Sequence, residues 1–155
     1  HVILEAKEPF WEHDGLGLNV YSDGPLERIF AVPGRDGVVR HLRAWVNGFA
    51  ADRLDQIPTA DFDAFVLREV ARMRPSAAGK VVVRAKFSWG AEPFTLGHKH
   101  VFIAGQVQRH ARTMGDPWHR LYFAGEHLRR AEFGMEAAAE SADHAAVAIL
   151  TASQG

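Results

Sequence analysis

The chain has 155 residues, 47% hydrophobic and 24% charged, with a net charge of −1 and no cysteine. That is enough chain for a real core, and the charge gives no electrostatic reason to expect nucleic acid or an anionic membrane as partner. The missing cysteines exclude disulfides and zinc–thiolate sites, and no apolar run approaches the roughly 20 residues of a membrane span. No targeting segment is visible, so the expected location is the cytoplasm.

Val2-Ile3-Leu4 begins a strand, and Pro9 in Lys7-Glu8-Pro9-Phe10-Trp11 ends regular pairing. Leu16–Tyr21, Leu26–Val32 and Val38–Val46 read as an antiparallel meander, punctuated by Ser22-Asp23-Gly24-Pro25 and Pro33-Gly34-Arg35-Asp36-Gly37. Leu42, Ala44 and Val46 alternate with His41, Arg43 and Trp45, as a sheet with one wetter face requires. Trp45 and Phe49 are expected in the core. Phe62, Phe65, Val66, Val70 and Met73 predict a helix over 59–74, with Thr59 as its cap. Arg72 and Arg74 would sit at its negative end, and Pro75 stops it. Ser76-Ala77-Ala78-Gly79 divides the chain into residues 1–80 and 81–155.

Val81–Trp89 is the next strand. Leu121-Tyr122-Phe123-Ala124 has the length of a buried strand, and Gly125-Glu126 ends it with a glycine and a carboxylate. A polar loop from His127 to Glu132 follows. From Gly134 the chain is alanine-rich, with Met135, Ala138, Ala142, Ala145, Ala146 and Ile149 at the spacing of one helical face. A strand, a Gly-acid corner and a helix rich in small residues suit a nucleotide cofactor, because the helix's unpaired N–H groups and its dipole favour acceptor atoms there.

Arg120-Leu121-Tyr122-Phe123-Ala124-Gly125-Glu126, followed by Met135-Glu136, Ala138, Glu140-Ser141 and Ala145-Ala146, resembles the C-terminal signature of the flavin-containing amine oxidases. Lys7-Glu8-Pro9-Phe10-Trp11 extends the resemblance toward the N-terminus. Trp89, Glu92-Pro93-Phe94, Gly97, Phe102 and Gly105-Gln106 extend it through the middle. The resemblance implies an α+β fold: an antiparallel substrate-domain sheet with a helix, plus the last strand and C-terminal helix of a Rossmann-like FAD domain. It also implies FAD as cofactor, with Trp89, Gly97, His98, Gly125, Glu126, Gly134 and Met135 in contact with it.

Within that resemblance, Glu126 would hydrogen-bond the ribityl or pyrophosphate part, and the Met135 N–H would face the flavin's pyrimidine carbonyl. His98 stands where monoamine oxidases carry the cysteine joined to their flavin. Lys99 and Gly134 stand at the two positions of their aromatic cage. Neither can cage a neutral amine, and the Lys99 ammonium could instead attract a carboxylate, or else reach solvent or pair with Glu92. His1 falls where the resemblance implies a lysine near flavin N5; a disordered terminal residue is the alternative. His1 and Lys99 are therefore the candidate catalytic residues. His98 and His100 alone make a thin metal site, and no metal is expected.

The implied reaction oxidises a C–N bond of an amine or L-amino acid to an imine, with O2 reduced to H2O2. A flavin desaturase or dehydrogenase, and a non-catalytic subunit keeping the fold, remain the alternatives. No G-x-G-x-x-G turn follows any strand here, so a second chain carrying that FAD-binding half is the expected partner.

Overall fold

A computed structural model describes residues 1–97, 99–128 and 131–153. The chain forms two compact units, His1–His98 and Lys99–Gly155. The first is built on a five-stranded sheet of β1 (Val2–Ala6), β2 (Val20–Tyr21), β3 (Arg28–Pro33), β4 (Val39–Ala44) and β5 (Val81–Lys86). The strand order is β2-β3-β4-β1-β5, and every neighbouring pair is antiparallel. The expected antiparallel sheet is therefore present. β5, however, pairs with β1 as an edge strand, and the division falls after residue 98 instead of residue 80.

Alternation along the strands decides which face is covered. Register aligns Val2 with Ala44 and Ala44 with Ile29, and these three are buried together with Leu4, Leu42, Val46 and Val81. Two helices, α1 (Gly48–Asp55) and α2 (Thr59–Met73), join this core through Leu54, Phe62, Val66 and Val70. Burying such side chains contributes about 1.5–3 kcal/mol each. The α2 stripe follows the predicted 3.6-residue spacing, but its cap does not. Pro58 holds the cap position, Thr59 is the first helical residue, and no side chain of the described residues caps that end. Phe49 is 83% exposed on α1 and not in the core, and Trp45 is half-buried.

Arg74 was expected to serve the dipole of α2. Instead the backbone leaves the helix there in an extended conformation, and the guanidinium is buried against the 12–19 loop. Its Nε and Nη2 donate to the two carboxylate oxygens of Asp14, each at 2.7 Å, and Nη1 donates to the Gly17 carbonyl at 2.9 Å. The Ser76 hydroxyl and the Leu16 N–H also donate to Asp14. A forked, charge-assisted contact of this kind fixes the loop across 60 residues of sequence.

The second unit contains α3 (Gln106–His110) and α4 (Gly134–Ala152), with a short turn of 3-10 helix at Glu126–Leu128 between them. Leu121–Ala124 does not form the expected buried strand. It makes one isolated bridge, Trp118 to Leu121, and Leu121 and Phe123 are exposed. A strand needs neighbours for its N–H and C=O groups, and none of the described residues forms a ladder along this run. α4 forms where expected but turns a different face inward. Ala137 and Ser141 are buried, with Ala138, Glu140, Ala145 and Ala148 half-buried, while Met135, Ala142, Ala146 and Ile149 are exposed.

Two outcomes test this architecture. Leu4→Ala should cost about 2–5 kcal/mol in denaturant unfolding, as cavity formation in a packed core does. Arg74 first, then Ser76 and Leu16, hold the Asp14 carboxyl below the usual carboxylate range, against the opposing effect of burial. Because that value is depressed on folding, the contribution is complete above the unfolded value near pH ~4 and is lost as pH falls through the folded one. Asp14→Asn should therefore lower Tm at neutral pH, and the gap from wild type should close in acid.

Candidate functional site

The corner at Gly125 is defined by two features that only glycine can satisfy. Its φ is +147°, and an added Cβ would lie 2.7 Å from the His127 ring. Its N–H donates to Ser141 Oγ at 2.7 Å, and that hydroxyl donates in turn to the Ala138 carbonyl at 2.8 Å. Ser141 therefore pins the corner onto α4, where Ala137 and Ala138 leave room for it. The Leu128 N–H closes the following turn on the Gly125 carbonyl at 3.0 Å.

The Glu126 carboxylate emerges from this corner. Lys99 Nζ lies 3.6 Å from its Oε1 and 5.7 Å from the centroid of the Phe133 ring. Lys99, expected to receive a substrate carboxylate, reach solvent or pair with Glu92, lies beside Glu126 with its side chain 41% exposed. Phe133 precedes Gly134, whose φ of +63° opens α4. No side chain of the described residues caps the first turn of α4. The Met135 side chain is 82% exposed.

These residues border a cavity of about 740 Å³ within the second unit, lined among others by Lys99, Tyr122, Glu126, Phe133 and Glu140. Glu140 Oε2 is buried and has no hydrogen-bond partner among the described residues. The cavity therefore offers an aromatic wall, a cation paired with a carboxylate and a carboxylate oxygen with no donor among the described residues. That set fits flavin, whose hydroxyls donate, whose ring carbonyls accept, and whose ring stacks.

The other candidate residues lie in the first unit or outside the described residues. Trp89 is half exposed and packs edge-on against Phe87 at 4.7 Å, and the Gly97 N–H donates to its carbonyl at 3.1 Å. The His1 carbonyl accepts from Phe87 N–H at 2.9 Å, and its ring lies 5.5 Å from that of Trp45. His98 lies outside the described residues. Among those described, no group of three or more His, Asp or Glu side chains could hold a metal. No helix among the described residues is long and apolar enough to cross a membrane. The roles of Ser141 and Glu140 could not be read in sequence; both stand in the helix signature, but only the fold shows one as a clamp and the other as an orphan.

Residues 1–150 match the family described as flavin containing amine oxidoreductase. The flavin-dependent L-tryptophan oxidase RebO of Lentzea aerocolonigenes is 33% identical over 167 residues, covering 99% of this chain and 34% of that protein. A solved putrescine oxidase, wild type and bound to putrescine, has a TM-score of 0.79 at 21% identity, over 97% of this chain and 34% of its own. A redesigned double mutant of putrescine oxidase gives 0.78 over the same shares. The chain spans about a third of the length of these relatives.

The clamp is testable directly. Ser141→Ala leaves the Gly125 N–H without its acceptor and should cost about 1–3 kcal/mol in unfolding of the assembled protein. Gly125→Ala should cost a comparable amount through backbone strain and the His127 clash.

Proposed function

This chain belongs to the flavin-containing amine oxidoreductases, and from that premise we propose that it supplies one wall of the FAD site in an amine or L-amino-acid oxidase. The observation that carries the proposal is the Gly125 corner, clamped by Ser141 to the start of α4 with Glu126 facing the cavity. Bound FAD would supply the acceptor for a hydride equivalent from the carbon bearing nitrogen, giving an imine that hydrolyses to a carbonyl, and O2 would be reduced to H2O2.

Every other task falls to protein side chains. Glu126 and Glu140 accept hydrogen bonds from cofactor hydroxyls, and Lys99 holds the Glu126 carboxylate in place. The open N–H groups after Gly134, at Met135 and beyond, donate to ring carbonyl oxygens, where the helix dipole favours negative charge. Phe133 and Tyr122 supply apolar ring surface and exclude water. The phosphate-gripping wall, with its glycine-rich turn, comes from residues outside these 155, carried on a companion chain or segment. The apolar surface left open at Leu121, Phe133, Met135, Val147 and Leu150 supports such a covering. The 33% identity to an L-tryptophan oxidase supports an amino acid over a simple amine as substrate.

Expressed together with the glycine-rich half, the chain should give a yellow complex that forms peroxide from an L-amino acid or amine. Material without a flavin absorbance band would contradict the proposal. Glu126→Gln should weaken FAD binding about tenfold or more, read by equilibrium titration of apoprotein, since hydrogen bonds to a charged group carry that weight.

A further inference from the structure

The second unit places a readily oxidised side chain on the wall of its cavity. The chain has no cysteine, so its sulfur is confined to three methionines, Met73, Met114 and Met135. A thiol reacts with peroxide as its thiolate, whereas a thioether needs no deprotonation and no activating base. Position therefore decides which methionine meets an oxidant first.

The three positions differ. Met73 ends α2 and packs against the core of the first unit. Met135, 82% exposed at the start of α4, is not part of the wall of the cavity of about 740 Å³. Met114 is half-buried and lines that cavity from the turn after α3. Its N–H donates to the His110 carbonyl at 2.9 Å, and the Asp116 N–H closes the next turn on the Thr113 carbonyl at 3.0 Å. Backbone hydrogen bonds thus hold Met114 on the wall that it shares with Tyr122, Glu126, Phe133 and Glu140.

We propose that Met114 is a sulfoxidation site, where hydrogen peroxide formed at this cavity is captured before release and the resulting sulfoxide loosens the flavin. A sulfur lone pair attacks one peroxide oxygen, the O–O bond breaks, and the second oxygen leaves with both hydrogens as water. Sulfur is oxidised by two electrons and peroxide is reduced by two, so no further reactant is needed. The product replaces an apolar thioether by a polar S=O group. The wall already presents the Glu126 carboxylate, with Lys99 at 3.6 Å, and a Glu140 oxygen with no donor among the described residues. Another acceptor there weakens the fit to a ligand with few donors to share. The inference rests on the oxidase reading, which supplies the peroxide.

The test follows sulfoxide at each methionine by peptide mass spectrometry of the FAD-loaded, fully assembled enzyme. Turnover of an L-amino acid or amine is run with catalase in solution, which destroys peroxide once it is released. Met114 should be oxidised ahead of Met73 and Met135. The oxidised wild type should then bind FAD about tenfold more weakly. Met114→Leu, which keeps the volume but not the sulfur, should hold its own dissociation constant through the same treatment. Sulfoxide at Met114 no higher than at Met73, or abolished by catalase, would overturn the inference on wild-type protein alone, so a misfolded variant would not protect it. An FAD dissociation constant unchanged by oxidation of Met114, or raised equally in Met114→Leu, would overturn it too. Absence of peroxide with every amine and amino acid would remove the oxidase reading and this inference together, whereas peroxide formation with Met114 left intact would remove this inference alone.

Discussion

A single hydrogen bond organises the candidate cofactor wall: Gly125 N–H to Ser141 Oγ. It works because the residue at the corner has no side chain and the helix beneath it has almost none. The φ of +147° brings the backbone close enough for a side-chain hydroxyl to serve as acceptor, and the Ser141 hydroxyl donates its own hydrogen bond to the Ala138 carbonyl. The corner sets where the Glu126 side chain leaves the backbone, at the start of the Glu126–Leu128 turn. Its contact with Lys99, at 3.6 Å, follows from that placement. Preorganisation of this kind is what a cofactor site needs, since a group fixed in place loses little entropy on binding.

Different physics governs the first unit. Its sheet is amphipathic, and α1 and α2 with the loop held by Arg74 and Asp14 complete the core on one side. The opposite side keeps Arg43, Trp45, Phe30 and Tyr21 outside that core. On that side the Arg43 guanidinium lies over the Trp45 ring, and its Nε has no hydrogen-bond partner among the described residues. The same strands that build the scaffold thus present chemistry on their other face, which is how alternation lets one element serve two purposes.

How much of this the residues announce depends on whether a feature is local. The meander was legible because Gly, Pro and Asp clusters mark its turns and alternation marks its faces. The helix at Thr59–Met73 was legible because its apolar stripe is narrow. The inward face of α4 was not, because apolar residues surround most of that helix and periodicity cannot choose among them. Leu121–Ala124 misled for a related reason: an apolar run signals burial, but a strand also needs partners, which no single run reveals. Arg74 reads as a helix-end cation until the chain is seen to turn it toward Asp14. Of the candidate site, the family signature singles out Gly125, Glu126 and the helix start, whereas the Ser141 clamp depends on a contact between residues 16 apart in sequence.

The central claim, that the Gly125 corner and the start of α4 form a flavin-binding wall, is tested most directly by amide hydrogen exchange of the assembled protein with and without FAD. The account predicts that FAD slows exchange in the segment around Gly125 and Glu126 and in the first turn of α4, with smaller changes elsewhere in the second unit. Cofactor-dependent protection confined to other regions, with these two segments exchanging at the same rate in both states, would contradict it.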